Sequence, residues 1–187
     1  MAHFLYYYVI NLKNTMRTKI KIFALAILIL GFASTSFAQN YATASTTATL
    51  VAPLSISKTA DMNFGTVTAT AGTVVLDYNN ATTASIGITK LTGTAPSTAS
   101  FIVTGEGNRA FSITYPIKVT IAGAGSASGK SLEVTGIVCD KGTTGSSITL
   151  ESGTLVLKVK GTLNVLANSV AGIYTNADDL KVTVNYN

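Results

Sequence analysis

One histidine, His3, and one cysteine, Cys139, make up the whole stock of imidazole and thiol in this chain. His3 stands in an N-terminal stretch that reads as a leader, so no Ser/His or Cys/His pair is available to the folded product. One Cys without His is no zinc set either. Glycosidase chemistry needs two convergent carboxylates, and the eight acids are scattered over turns and outward strand positions. Three smaller signals have a plain reading beside the chemical one. Gly105-Glu106-Gly107 resembles half a phosphate loop, but no helix follows it, and a hairpin turn is the expected structure. Asp178-Asp179 offers two adjacent carboxylates where calcium takes six to eight oxygens, so a solvated turn is expected. Asn80-Ala81-Thr82 fits a glycosylation pattern that any Thr-rich chain meets by chance. No catalytic residue, cofactor or metal is therefore expected.

The leader comes from Met16 to Ala38, MRTKIKIFALAILILGFASTSFA. Arg17, Lys19 and Lys21 give a positive segment, Ile22 to Phe32 an apolar run too short to span a bilayer, and Ser36 and Ala38 the small residues before a cut at Gln39. Residues 1–15 read as the product of an upstream start codon, with a longer uncleaved anchor as the alternative. Nothing after Phe32 reaches the length of a membrane span, and no Cys follows the apolar run to accept a lipid. Export through the general secretory pathway is expected, to the periplasm, the cell surface or the medium.

Taking away the leader also takes away the charge asymmetry. Of thirteen cations, Lys13, Arg17, Lys19 and Lys21 lie before residue 39, while all eight acids lie after it. The exported part is near neutral and has no clustered basic face, so nucleic acid is not an expected partner. It is rich in Thr, Ser, Gly, Ala and Val, as secreted all-β modules are. Cys139 cannot form an intrachain disulfide. It reads as a small core filler, with an interchain bridge as the alternative.

Beyond residue 42 the apolar residues alternate with period two, which places them on one face of a strand. The clearest run is Phe111, Ile113, Tyr115, Ile117, Val119 and Ile121. Pro116 interrupts its outward set and calls for an edge, a bulge or a switch between sheets. Further strands are expected at Val74–Leu76–Tyr78, Ile86–Ile88, Phe101–Val103, Leu132–Val134–Val138 and Leu155–Leu157–Val159–Leu163–Val165. Clusters at 77–80, 105–108, 123–129 and 140–145 supply turn chemistry. One antiparallel β-sandwich of immunoglobulin-like or pilin-like type is expected over residues 49–187, with 39–48 as a flexible arm.

The last ten residues, DDLKVTVNYN, alternate strictly. Leu180, Val182, Val184 and Tyr186 share one face, and Lys181, Thr183, Asn185 and Asn187 the other. Such a strand either seals its own sandwich or pairs with the edge of another chain. With the strand running to Asn187, no C-terminal sorting motif is expected.

Three blocks carry a family likeness. ASTTATLVAPLSISKTADMNFG (44–65), which ends on Asp61-Met-Asn63-Phe64-Gly65, resembles the opening of the bacterial family known as domain of unknown function 4402. ASFIVTGEGNRAFSITYP (99–116) is similar to its middle, and LKVKGTLNVLANSVAGIYTNADDLKVTVNYN (157–187), with Gly172-Ile-Tyr174, to its end. That family resembles spore coat protein U and the common-pilus fimbrillins. The likeness implies a β-sandwich surface subunit without catalytic residues, exported with a periplasmic chaperone and an outer-membrane usher. It also implies that Tyr186 takes the place of the penultimate aromatic that pilins present to their chaperone. The expected function is thus a fimbrial or coat-like structural subunit that associates with itself or with other surface subunits. The alternative is a secreted adhesin that binds glycan or protein through the loops near 105–109, 123–130 and 140–147.

Overall fold

The computed structural model describes residues 2–31, 40–176 and 179–187. The cleavage positions Ser36, Ala38 and Gln39, and the Asp178 half of the calcium reading, lie outside these residues. The chain divides into two units, Met1–Ala48 and Thr49–Asn187.

The first unit holds a single helix, α1 (Ala2–Gly31). It contains no Pro, and Gly only as its last residue, so nothing in the sequence breaks it. It runs straight through Met16. Ile20, Ile22, Phe23, Leu25 and Ile27 on it are all exposed. Among the described residues no helix is long and apolar enough to cross a membrane. Residues 40–48 have no regular secondary structure, and all are exposed.

The second unit is built of antiparallel strands. In chain order these are β1 (Ser55–Ala60), β2 (Thr66–Val67), β3 (Gly72–Leu76), β4 (Thr82–Ala84), β5 (Lys90–Leu91) and β6 (Ala99–Thr104). Then come β7 (Arg109–Thr114), β8 (Lys118–Ala124), β9 (Ser131–Cys139), β10 (Ser147–Leu150), β11 (Thr154–Val165), β12 (Ile173–Thr175) and β13 (Thr183–Tyr186). The larger sheet has the order β1-β6-β11-β9-β8-β12. β11 is long enough to pair with β6 over Thr154–Val159 and then, farther along the same edge, with β3 over Thr162–Val165. The second sheet is β10-β7-β13, and β2-β5 make a small ribbon. Phe111, Ile113 and Leu150 of the second sheet meet Val74, Phe101, Val103, Val134, Leu157 and Val159 of the first in one buried cluster. The architecture is an all-β sandwich.

Alternation fixes which face of each strand is buried, and glycine and proline fix where the alternation changes. At Pro116 the run from Phe111 leaves the second sheet as β7 and enters the first as β8, so the proline marks a switch between sheets. Tyr115 and Val119 are buried on either side, whereas Ile117, expected inside, is 73% exposed at the bend. A proline lacks the N–H a ladder needs, and here no ladder partner is left without a donor.

β9 changes phase in the same spirit. Opposite β11, Thr162 pairs with Thr135 but Lys160 pairs with Val138, so β9 carries one extra residue there. Gly136 has φ +59, the left-handed value that such a bulge asks of its first residue. Beyond it the inward positions are Ile137 and Cys139, not Val138 as the alternation had suggested.

Three further expectations need correction. Ile86 does not share a strand with Ile88: it lies fully exposed in the turn before β5, and only Ile88 is buried. Tyr78 is in the β3–β4 turn and lies on the outer face of the larger sheet. Its ring sits under the Lys160 ammonium at 4.6 Å, and its hydroxyl donates to the Val138 carbonyl at 3.5 Å. Gly105-Glu106-Gly107 is not a hairpin turn. β6 and β7 belong to different sheets, so residues 105–108 form a corner between them. That corner is pinned to the β10–β11 corner by Gly105 N–H to Gly153 O (3.0 Å) and Asn108 N–H to Leu150 O (2.7 Å).

Candidate functional site: the seam at the terminal strand

β13 pairs with β7 in the register Thr183↔Thr114, Val184↔Ile113, Asn185↔Ser112 and Tyr186↔Phe111. It is the outer strand of its sheet, and no strand among the described residues pairs with its far edge. Leu180 and Val182 come before the strand proper, which is shorter than the alternation suggested because the ladder with β7 begins at Thr183. Leu180, Val182, Val184 and Tyr186 are all half-buried and pack on the core. An edge strand is covered on one side only, so half-burial is what its apolar set can reach.

β1 is the outer strand of the larger sheet, and it comes close to β13 along one side of the sandwich. No ladder joins the two among the described residues. Leu54 and Ile56 are half-buried here, like the apolar set of β13. The seam between the sheets is therefore bordered by two unpaired backbone edges and a row of half-covered apolar side chains. Before it, residues 40–53 have no regular secondary structure and are exposed throughout, with Leu50 90% exposed.

Tyr186 fastens one end of this seam. Its hydroxyl accepts from Glu106 N–H at 2.6 Å and donates to the Ala52 carbonyl at 3.0 Å. The Glu106 carboxylate in turn accepts from Ala52 N–H at 3.0 Å. Gly105 leaves the room: a Cβ there would run into the Tyr186 hydroxyl and come within 3.0 Å of Leu54 Cδ1. Glu106, Gly105 and Ala52 were missed as partners of Tyr186. The signal was present in Gly105-Glu106-Gly107, where a side chain is absent on one side and a carboxylate available on the other, but its target is 80 residues away.

The other singled-out residues stand elsewhere. Asn63 bridges to Ser97 through Asn63 N–H to Ser97 O (2.8 Å) and the return bond (2.9 Å), and its side chain accepts from Gly65 N–H at 2.7 Å. The Ser97 hydroxyl donates to the Asp61 carbonyl at 2.7 Å, and Phe64 packs on the core. This motif lies past the far end of β1 from Tyr186 and pins the β1–β2 connection to the loop before β6. Beside it is a shallow cleft of about 220 Å³ lined by Phe64, Thr66, Lys90, Leu91 and Pro96, where the Lys90 ammonium donates to the Thr82 carbonyl at 2.8 Å. Gly172 lets the chain close on buried Ala127: a Cβ would fall 2.7 Å from the Ala127 methyl. Tyr174 donates to the Val170 carbonyl at 2.8 Å and sits on β12, at the opposite margin of the larger sheet from β1.

Two of the three loops of the adhesin alternative, 105–109 and 123–130, do not share a surface. Residues 105–109 follow Thr104, opposite Thr154 at the start of β11, whereas 123–130 lead into the start of β9, near Asn164 at its end. At roughly 3.3 Å per residue the two stand about 30 Å apart.

Cys139 is buried, and burial raises its thiol above the ordinary value, as it does the Tyr78 phenol. Asp140 holds Lys158 N–H at 2.8 Å, and Glu133 pairs with Lys118 at 2.9 Å. Among the described residues no three His, Cys, Asp or Glu side chains gather as a metal site would need. Asn80, of the glycosylation pattern, uses its side-chain oxygen to hold Thr98 N–H and hydroxyl, both at 2.9 Å.

The fold and this seam define a β-sandwich domain whose distinctive surface is an open strand edge. The sequence model described as Domain of unknown function (DUF4402) matches residues 54–186, and the chain belongs to that family. No curated protein and no solved structure matches the chain.

Proposed function

We propose that this protein is an exported structural subunit of the bacterial cell surface, fimbrial or coat-like, which acts by strand packing and association with copies of itself or with other surface subunits. The observation that carries the reading is the unpaired β1–β13 seam together with an exposed segment, residues 40–53, that has no strand partner among the described residues. In that segment Ala42, Ala44, Ala48, Leu50 and Ala52, with Thr46 among them, alternate with Thr43, Ser45, Thr47 and Thr49, which Tyr41 and Val51 flank. A stretch with one mostly apolar and one mostly polar face suits addition to a sheet edge, where main-chain bonds give affinity and alternate side chains give register. Lys58 on β1 is the kind of charge that keeps an edge from pairing indiscriminately.

Export follows from the leader, with cleavage after Ala38 releasing residues 39–187. A periplasmic chaperone and an outer-membrane usher are the accessory partners that the likeness to coat and pilus subunits implies. This reading assigns no catalytic residue: Asp61, Glu133 and Asp140 pair with Lys58, Lys118 and Lys141, and the Glu106 carboxylate accepts from Ala52 N–H. The strand reading is preferred over the adhesin reading because an adhesin draws its loops together at one end of a sandwich, and 105–109 and 123–130 stand at opposite ends here.

The test is assembly. Light scattering and native mass spectrometry of the secreted protein are expected to give multimers, and removal of residues 39–48 is expected to yield a folded monomer. A full-length secreted product that stays monomeric at high concentration, with no chaperone recovered by pulldown, would end the proposal.

A further inference from the structure

We infer that the Tyr186 hydroxyl is a latch through which docking of β13 sets the course of the chain entering β1. The terminal strand and residues 52–54 are thereby held or released together. Three hydrogen bonds make the latch: Glu106 N–H to the Tyr186 hydroxyl at 2.6 Å, that hydroxyl to Ala52 O at 3.0 Å, and Ala52 N–H to the Glu106 carboxylate at 3.0 Å. They form a closed triangle of three segments distant in sequence. Each corner of the triangle needs the other two.

The geometry is specific to tyrosine. The ring packs on the core, and only a phenol extends far enough past it to carry a group that donates to one backbone and accepts from another. Gly105 is required because any side chain would take the place of the hydroxyl. Leu54, two residues after Ala52, packs on the core beside Gly105, so the latch acts where the chain turns from exposed to half-buried. Residues 50–53 have no ladder to hold them. Apart from the triangle, no hydrogen bond among the described contacts holds residues 50–53 to the sandwich.

The consequence rests on the function proposed above: a subunit fixes residues 52–54, which lead into β1, only after its terminal strand has docked. A half-folded copy, with β13 still loose, would carry that segment on a free hinge and would be a poor partner for assembly.

Amide hydrogen exchange on the secreted protein tests the latch apart from assembly. In Tyr186→Phe the ring stays but the hydroxyl goes. The decisive probe is Ala52 N–H, which is bonded to Glu106 and not to Tyr186. Its exchange is expected to rise about fivefold, the equivalent of one ordinary hydrogen bond. Coupling is reciprocal, so Glu106→Ala, which leaves Tyr186 intact, is expected to speed exchange at Asn187 N–H, which donates to Ala110 O at 3.2 Å. Glu106→Gln keeps an acceptor for Ala52 and is expected to leave Asn187 close to wild type. If Ala52 is unmoved in Tyr186→Phe, or Asn187 is unmoved in Glu106→Ala, the latch is overturned, whatever the protein does in assembly. If both move and the protein still stays monomeric, the latch stands and the assembly function fails.

Discussion

The hydroxyl of Tyr186 lies 2.6 Å from the backbone nitrogen of Glu106, so the next-to-last residue of the chain is bonded to a corner 80 positions earlier. The corner has a glycine beside it, Gly105, and a side chain at that place would occupy the space of the hydroxyl. Sequence separation has no bearing on such a contact once β7 carries β13 to the same end of the sandwich.

Gly105→Ala is expected to cost about 1 to 3 kcal/mol by overpacking. In a Tyr186→Phe background the cost should fall, since the colliding oxygen is gone. Urea unfolding of the two single variants and the double variant measures the coupling. Additive losses would mean that Gly105 is needed for some other reason.

Val184→Asp places a carboxylate on the half-buried face of β13, opposite Ile113. At this edge the group can reach water, so the expected loss is about 2 to 3 kcal/mol, enough to lower export but not to abolish the fold. Leu157→Asp, at a fully buried position of β11, is expected to abolish it, the penalty there being comparable to the roughly 5 to 15 kcal/mol that holds a domain together. Circular dichroism and the secreted yield separate the two. Equal damage would show that β13 is central to the core and not its edge.

Gly136→Ala should destabilise by about 1 to 2 kcal/mol, because φ +59 is strained for any residue with a Cβ. Space is not the issue, since the nearest atom to a Cβ is the Thr162 hydroxyl at 3.8 Å. Loss of the bulge would turn Ile137 and Cys139 outward. Faster reaction of Cys139 with a thiol reagent is therefore expected in the variant, and an unchanged rate would disconnect the bulge from the burial of this side chain.

Burial raises the Cys139 thiol and the Tyr78 phenol from ordinary values of 9.0 and 10.0. In the unfolded chain these groups lose their protons at lower pH than in the fold. Above the ordinary thiol value the unfolded state therefore binds fewer protons, and stability falls with rising pH until the folded values are passed. The melting temperature is expected to hold level near neutrality and to decline above about pH 9, less steeply in Cys139→Ala. A level profile up to pH 11 would contradict this. Native Cys139 should also alkylate slowly at neutral pH, as a buried protonated thiol does.

Much of the sandwich was legible in local pattern. Phe101 and Val103, or Leu157 and Val159, alternate because each strand has one face in the core, and that is a property of two residues apart on one strand. Pro116 was legible as an interruption for an equally local reason, its missing donor. The phase change at Gly136 was less so, because Val134 and Val138 keep a period of two that Ile137 contradicts, and only the register against β11 decides between them. Ile86 misled for want of context: two isoleucines two apart resemble a strand, yet no strand among the described residues pairs with Ile86.

Of the candidate site, the alternating face of Leu180, Val182, Val184 and Tyr186 was plain in the sequence, and the bonds of Tyr186 were not. Asn63, Gly65 and Gly172 were recognisable as a motif, but their tasks, bridging to Ser97 and closing on Ala127, depend on segments far along the chain.

By itself the sequence determined the all-β class, the inward faces of the regular strands away from Pro116 and Gly136, and the family, because side-chain type and period act between near neighbours. Which strands share a sheet, why β1 and β13 are left with open edges, and how Glu106, Ala52 and Tyr186 meet were decided by the tertiary structure alone. Those features arise from pairing between distant segments, where the energy depends on register and on closure of the whole core, and no local stretch of residues carries that information.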